Sequence, residues 1–248
     1  MADVPVTACV VIIGNEILSG RTPDANLAFI AATLNTVGIQ VREARTIPDD
    51  ADCIVETLHT VRERFDHVFT TGGIGPTHDD ITADAVAQAF SVPLVVHPDI
   101  AASIRAHAAR RGVSDTALTA SLRMARIPDG AALLPCEHGT PGFVIGNVHV
   151  MAGIPSVMQS MLRQLAPQLR GGRPTRSRSV RADVGESAVA AALGAIQARY
   201  PALDIGSYPF SDNGRYATHL VVSGHDSAQI DAAVAEIETL LATTSGKV

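Results

Sequence analysis

The chain has 248 residues, 46% of them hydrophobic, and a formal net charge of −6. That length allows one large domain, or a medium domain followed by a small one, with ample apolar material for a core. A pI of about 5.8, aromatics at 4% and no Trp argue against broad attraction to nucleic acid and against base stacking as a binding device.

No apolar run approaches the roughly 20 residues of a membrane span. The N-terminus lacks the basic start of a secretory signal. The three cysteines, Cys9, Cys53 and Cys136, are widely spaced and odd in number, which fits reduced thiols in a cytoplasmic protein.

Residues 6–14, VTACVVIIG, form a continuous apolar run of the kind found in strands buried on both faces. Leu27, Ile30, Ala31, Leu34 and Val37 follow at helical spacing, with Asp24 as cap and Gly38 as stop. Residues 39–47 alternate like a strand, and Ile54, Val55, Leu58, Val61 and Phe65 mark a second helix. Residues 67–71 read as a strand, and Ile81, Ala85, Val86, Ala89 and Phe90 as a third helix. This alternation implies an α/β fold with a mainly parallel sheet covered by helices on both sides.

Residues 99–125 look helical with a break at Gly112, and 142–151 read as a hairpin turning at Gly146-Asn147. Residues 152–165 look like a Gly-Ile-Pro turn opening a helix, with Pro155 in the tolerated first turn. The composition then shifts to RGGRPTRSRSVR between 170 and 181, which suggests a boundary, either a solvated connector or a basic linker that touches an anionic ligand. A short strand, a helix over 186–199, two strands and a helix over 227–242 complete a small β-α-β-β-α unit. The expected domains are therefore residues 1–169 and 175–248.

The most informative stretch is TTGGIGPTHDDIT, residues 70–82, a glycine-rich turn between strand and helix. Gly72, Gly73 and Gly75 allow positive φ and leave no Cβ in the way of a ligand. The amides from Gly73 through Pro76 to Thr77, at the start of a helix, suit a phosphate. The pattern is neither GxxxxGK[ST] nor GxGxxG. Asp79 and Asp80 have a plain explanation as first-turn acids, Thr77-x-x-Asp80 fitting a capping box. Beside a phosphate, however, two carboxylates call for a divalent cation, and oxygen ligands suit Mg²⁺ or Mn²⁺.

A second constellation follows the first strand: Glu16, Asp24 and Asn26, facing the glycine loop if strands one and three are neighbours. A capped helix explains it equally well. The turns HGTPGF (138–143) and AGIPSVM (152–158), with Gly142 and Gly153, either line the same cleft or are ordinary turn chemistry.

Three stretches together, GNEILSGRTPDANLAFIAATLNTVGI, TTGGIGPTHDDIT and HGTPGFVIGNVHVMAGIPSVM, resemble the molybdopterin-binding family of the MogA and MoaB proteins and the gephyrin G domain. The likeness is closest to the N-terminal regions of CinA-type proteins and covers roughly residues 5–168. The segment GSYPF (206–210) resembles the small region that follows in that family. The resemblance implies a three-layer α/β/α sandwich plus a small C-terminal α+β unit, binding a pterin or nucleotide phosphate. Asp79 and Asp80 occupy the acidic positions after the family's glycine loop. Asn15 stands where many relatives carry Asp, leaving Glu16 and Asp24 beside Asp79 as metal ligands.

The resemblance further implies divalent-metal-dependent (Mg²⁺, Mn²⁺ or Co²⁺) pyrophosphatase activity on ADP-ribose-like substrates, with Asp79 and Asp80 as catalytic residues. The alternative is a non-catalytic protein that binds molybdopterin or serves cofactor synthesis. A more distant alternative is a regulatory or assembly subunit without chemistry. The expected partners are a small-molecule nucleotide or pterin phosphate and further copies of the chain in a homo-oligomer, with neither nucleic acid nor membrane. The chain is too short for the amidase region of full-length CinA, so no deamidase activity is expected.

Overall fold

The computed structural model describes residues 5–136, 142–212 and 215–245. The chain divides into two compact units, Met1–Gly172 and Arg173–Val248.

In the first unit, β1 (Val6–Ile13) leads through the short α1 (Asn15–Leu18) and α2 (Leu27–Thr36) to β2 (Ile39–Ile47). Then come α3 (Ala51–Arg64), β3 (His67–Thr71), α4 (Thr82–Ala89) and β4 (Leu94–Val96). Next are α5 (Pro98–Arg111), α6 (Asp115–Ser121), a 3₁₀ turn (Leu122–Ala125), β5 (Arg126–Pro128) and β6 (Ala132–Leu133). The unit closes with β7 (Phe143–Ile145), β8 (Val148–Met151), α7 (Pro155–Leu165) and a 3₁₀ turn (Ala166–Gln168).

The main sheet has the order β2-β1-β3-β8-β7-β6. Its first four strands run parallel, and β7 pairs antiparallel with both β8 and β6. The expected mainly parallel sheet is present. β1 shows why its sequence is continuously apolar. Cys9, Val11 and Ile13 enter one core with Ile54 and Leu58 of α3 and Val86 of α4. Ala8, Val10 and Ile12 enter the other, with Ile30 and Leu34 of α2 and Met158 and Leu162 of α7. A strand whose two faces are both covered has no polar face to display. The result is the three-layer α/β/α sandwich.

The local signals hold at most ends. Asp50 caps α3 by accepting the Cys53 N–H at 2.9 Å. Pro155 opens α7, and Gly146 turns the β7–β8 hairpin at φ 57°. Residues 99–125 are not one interrupted helix. After the left-handed Gly112, Ser114 caps the separate α6, and the chain tightens into 3₁₀ geometry before β5. Strands β4 and β5 pair with each other outside the main sheet; at three residues each they are too short to show a period.

The second unit comprises β9 (Arg176–Ala182), α8 (Glu186–Arg199), β10 (Asp204–Asp212), β11 (Arg215–Gly224) and α9 (Ser227–Ser245). Its antiparallel sheet, order β10-β11-β9, packs Leu220 and Val222 against Leu193 and Ile196 of α8 and Ile230 and Val234 of α9. The expected connector over 170–181 is corrected here, because its second half is β9. The arginines do not make it a solvated tether. Arg176 bonds to Ser227, Arg178 pairs with Asp231, and Arg181 pairs with Asp183 and Asp212. With Arg178 and Arg181 paired to carboxylates and Arg176 bonded to a hydroxyl, the Arg-Ser alternation behaves as an edge strand.

Candidate functional site

Strand β1 has β2 on one side and β3 on the other. The chain therefore reverses its direction of travel across the sheet at β1. In open α/β sheets a crevice opens beyond the carboxyl ends of the strands at such a point. Three turns meet there: Gly14–Asn15 after β1, Gly72 onward after β3, and Ala152–Ile154 after β8.

Their backbones fit closely. Gly72 donates its N–H to the Met151 carbonyl at 3.2 Å. A Cβ on Gly153 would lie 3.2 Å from the Gly72 Cα, and one on Gly72, at φ 104°, would lie 2.1 Å from the Ile13 carbonyl oxygen. Gly73 is pressed against Thr82 and Gly75 against the Asp80 carboxylate. The glycines are thus required first by the chain's own packing, which corrects the expectation that their missing Cβ atoms simply clear space for a ligand.

The loop from Gly72 to Thr82 is self-closing. Thr82 donates its N–H to the Gly73 carbonyl and its hydroxyl to the Gly72 carbonyl, both at 3.0 Å. Asp80 folds back over the loop. Its Oδ1 accepts the Gly75 N–H at 2.7 Å, and its Oδ2 accepts the Thr77 N–H at 2.8 Å together with the Thr77 hydroxyl. The Thr77–Asp80 pairing exists, but it closes a turn rather than capping a helix, since α4 begins only at Thr82. Of the amides expected to hold a phosphate, those of Gly75 and Thr77 are already taken by Asp80, and Pro76 has none. The Gly73 and Ile74 N–H groups have no acceptor among the described residues.

Asp79 is placed differently. Its side chain is 64% exposed, with His78 Nδ1 4.0 Å away. The nearby Thr77 hydroxyl, although its hydrogen bond goes to Asp80, and then the Asp79 backbone N–H keep its carboxyl below the usual range. It is therefore ionised at neutral pH. Asn26, not the expected Asp24, stands at the N-cap of α2; Asp24 closes the turn before it, accepting the Leu27 N–H at 2.9 Å and the Asn26 N–H at 3.3 Å. The Glu16 carboxylate folds over Gly14. Among the described residues no three His, Cys, Asp or Glu side chains are grouped to hold a metal ion. Asp79, Glu16 and Asp24 are not brought together as such a group.

Asn26 joins two of the turns. It is 6% exposed and donates Nδ2–H to the Gly153 carbonyl at 2.9 Å. Among the described residues its Oδ1 is buried without a partner, as is the Thr71 hydroxyl at the end of β3. Gly142 is buried against the Val150 carbonyl and accepts the Leu134 N–H at 2.9 Å, so packing against the sheet accounts for it. The rest of the HGTPGF turn, residues 138–141, lies outside the described residues.

Two groups escaped the sequence reading. Asp49, after β2, accepts the Asn15 N–H at 2.8 Å and ties the β1 and β2 ends together; the only sequence signal is an acidic pair after a strand. On the other side of the loop, Arg123 and Arg126 line a cavity of about 20 Å³ with Gly73, Ile74, Gly75, Asp80 and Asp84. Nothing near Arg123 in sequence signals that placement.

A model of a probable molybdopterin-binding domain matches residues 9–171. The chain belongs to this family. A second model, the FAD synthase middle domain, matches residues 174–246. A protein of Archaeoglobus fulgidus is 30% identical over 233 residues, covering 94% of this chain and 96% of that protein. A CinA-like protein of Thermomicrobium roseum is 38% identical over 192 residues, 73% of this chain; the match spans only 47% of that relative. The crystal structure of a CinA protein of unknown function from Thermoplasma acidophilum superposes with a TM-score of 0.59. It is 34% identical and covers 66% of this chain and 98% of that one. The likeness drawn from the three sequence stretches is borne out at the level of family and fold. No described helix of this molybdopterin-binding-domain protein is long and apolar enough to cross a membrane.

Proposed function

We propose that the protein binds the phosphate of a nucleotide or molybdopterin-type pterin at the glycine-rich loop, in the crevice beyond β1, β3 and β8. The observation that carries this reading is the pair of N–H groups, Gly73 and Ile74, left without an acceptor among the described residues while Asp80 holds those of Gly75 and Thr77. The Asn26 oxygen supports it, because a buried acceptor without a partner is rare unless a ligand or water completes it. Exposed Leu18, at the end of α1, and Ile154, on the turn after β8, add apolar surface for a flat ring. Titration of the full chain with AMP, ADP-ribose and a pterin phosphate tests it, and adenosine serves as the control without phosphate. Binding that requires the phosphate supports the reading; equal binding of adenosine, or none of any probe, overturns it.

A second reading is divalent-metal-dependent cleavage of an ADP-ribose-like pyrophosphate. The ionised, exposed Asp79 beside the loop favours it. The side chains do not fit a self-contained metal centre, since Asp80 and Asp24 are engaged with backbone N–H groups. Mg²⁺, Mn²⁺ or Co²⁺ would have to arrive with the substrate phosphates, as Mg²⁺ commonly does. Incubation with ADP-ribose or FAD and each cation, watching for AMP, tests this reading. Release that disappears in Asp79→Asn supports it; no AMP with any cation leaves binding as the function.

A further inference from the structure

We propose that Arg123 is the cationic anchor for the ligand's phosphate, acting with the free N–H groups of Gly73 and Ile74. The inference rests on the phosphate-binding reading and adds to it a residue that the loop motif does not contain.

The cavity beside the loop is lined by two arginines and two aspartates; their formal charges balance, but their hydrogen bonding does not. Asp84 is engaged by Arg126, whose two terminal nitrogens reach its two oxygens at 3.3 and 3.0 Å. Asp80 has both oxygens on the loop, taken by Gly75 and Thr77. The Arg123 side chain has neither a hydrogen bond nor an ion pair among the described residues, and its Nε is buried without an acceptor. A half-buried guanidinium left without an acceptor is costly, and an entering anion removes that cost.

The shape agrees with the charge. A volume of about 20 Å³ admits one water-sized atom, the size of a single phosphate oxygen. Arg123, Gly73 and Ile74 all line that cavity. Arginine's planar donors suit phosphate oxygens better than the single ammonium of lysine. The chain's segregation of Arg126 onto Asp84 leaves Arg123 available. Its position in the tight 3₁₀ turn ahead of β5 restricts how far it can swing away.

The experiment uses the full chain and titrates AMP, inorganic pyrophosphate and adenosine into wild type, Arg123→Gln and Arg123→Lys by calorimetry. A melt of each variant is run alongside. The expected result is that Arg123→Gln binds AMP and pyrophosphate about tenfold or more weakly, the loss of one charge-assisted contact, and melts as wild type does. Arg123→Lys should fall between the two. Wild-type affinity in Arg123→Gln overturns the inference while leaving phosphate binding standing. So does a lowered melt with unchanged affinity, which would make Arg123 a strut for the loop. A wild type that binds neither AMP nor pyrophosphate overturns the phosphate-binding reading itself.

Discussion

Asp80 accepts the N–H of Gly75 at 2.7 Å and so closes a loop that its neighbour Asp79 only decorates. Two adjacent carboxylates therefore have separable effects. Asp80→Asn replaces an acceptor by an amide that must turn a donor toward one of the loop's own donors. The full chain should lose on the order of 2 kcal/mol, the scale of hydrogen bonds to charged groups. Asp79→Asn, an exposed change, should stay within about 0.5 kcal/mol. Urea unfolding of the two variants checks this. Equal stabilities would show that the Asp80 clamp contributes nothing.

The floor of the crevice gives a second contrast. Gly72 sits at φ 104° with the Ile13 carbonyl where a Cβ would go, whereas Gly153 needs only a small shift away from the Gly72 Cα. Gly72→Ala combines backbone strain with a clash against a strand and should cost roughly 3 kcal/mol or more. Gly153→Ala should cost about 1 kcal/mol. A Gly72→Ala chain with an unfolding midpoint like that of Gly153→Ala would mean that the two strand ends separate more easily than their packing implies.

The sandwich was legible in the sequence because burial on both faces leaves a strong mark: Ala8 to Ile13 contain no polar residue. Helices α2, α3 and α7 were legible from their spacing and from Asp24, Asp50 and Pro155. What escaped is what depends on distant contacts. Strand β9 looks like a connector until Arg178 meets Asp231 and Arg181 meets Asp212. Thr77 and Asp80 have the spacing of a capping box, but the helix starts later because Thr82 is tied to Gly72 and Gly73. The glycine loop was found, while two of its amides were assigned to a ligand when Asp80 holds them. Asp49 and Arg123 are remote in sequence from the loops they serve, so no local pattern could include them.

Acid should weaken the first unit through His149. The Arg170 carbonyl can only accept, so His67 donates Nε2–H to it at 3.1 Å, and its Nδ1 accepts Nε2–H of His149 at 3.2 Å. That leaves His149 Nδ1 buried without a partner. Burial, and then the charge of His67, push the His149 pKa from 6.5 down to about 4. The folded state then resists a proton that the unfolded chain accepts. Stability is full above pH about 6.5 and falls as the pH drops toward 4, by on the order of 3 kcal/mol. The lowered carboxyls act from their unfolded values downward, Glu43 from 4.5 and Asp66 and Asp79 from 3.8, so they overlap this window only at its acid end. His149→Phe keeps a ring to stack on Phe69, 4.8 Å away, and should flatten the loss between pH 6.5 and 4. An unchanged slope in urea midpoints across that range would remove His149 as its source.

Asn26 offers the sharpest test of the crevice, because its two side-chain atoms face opposite demands. Nδ2–H satisfies the Gly153 carbonyl, and Oδ1 is buried with no donor. Asn26→Ala leaves the Gly153 carbonyl without that donor and should cost about 1–2 kcal/mol. Asn26→Asp sets a buried carboxylate oxygen against the same carbonyl and should cost roughly 3 kcal/mol or more, or ionise late to avoid it. The order wild type, Ala, Asp in urea stability is therefore the prediction for the protein without ligand, and Asp as stable as Ala would show that the site is open to water. Ligand binding supplies the second half. If a ligand donor completes Oδ1, AMP at concentrations well above its dissociation constant stabilises wild type by RT ln(1 + [L]/Kd), and Asn26→Ala should gain less at the same concentration. An equal gain in both would place the Asn26 oxygen outside the ligand's reach and confine recognition to the loop.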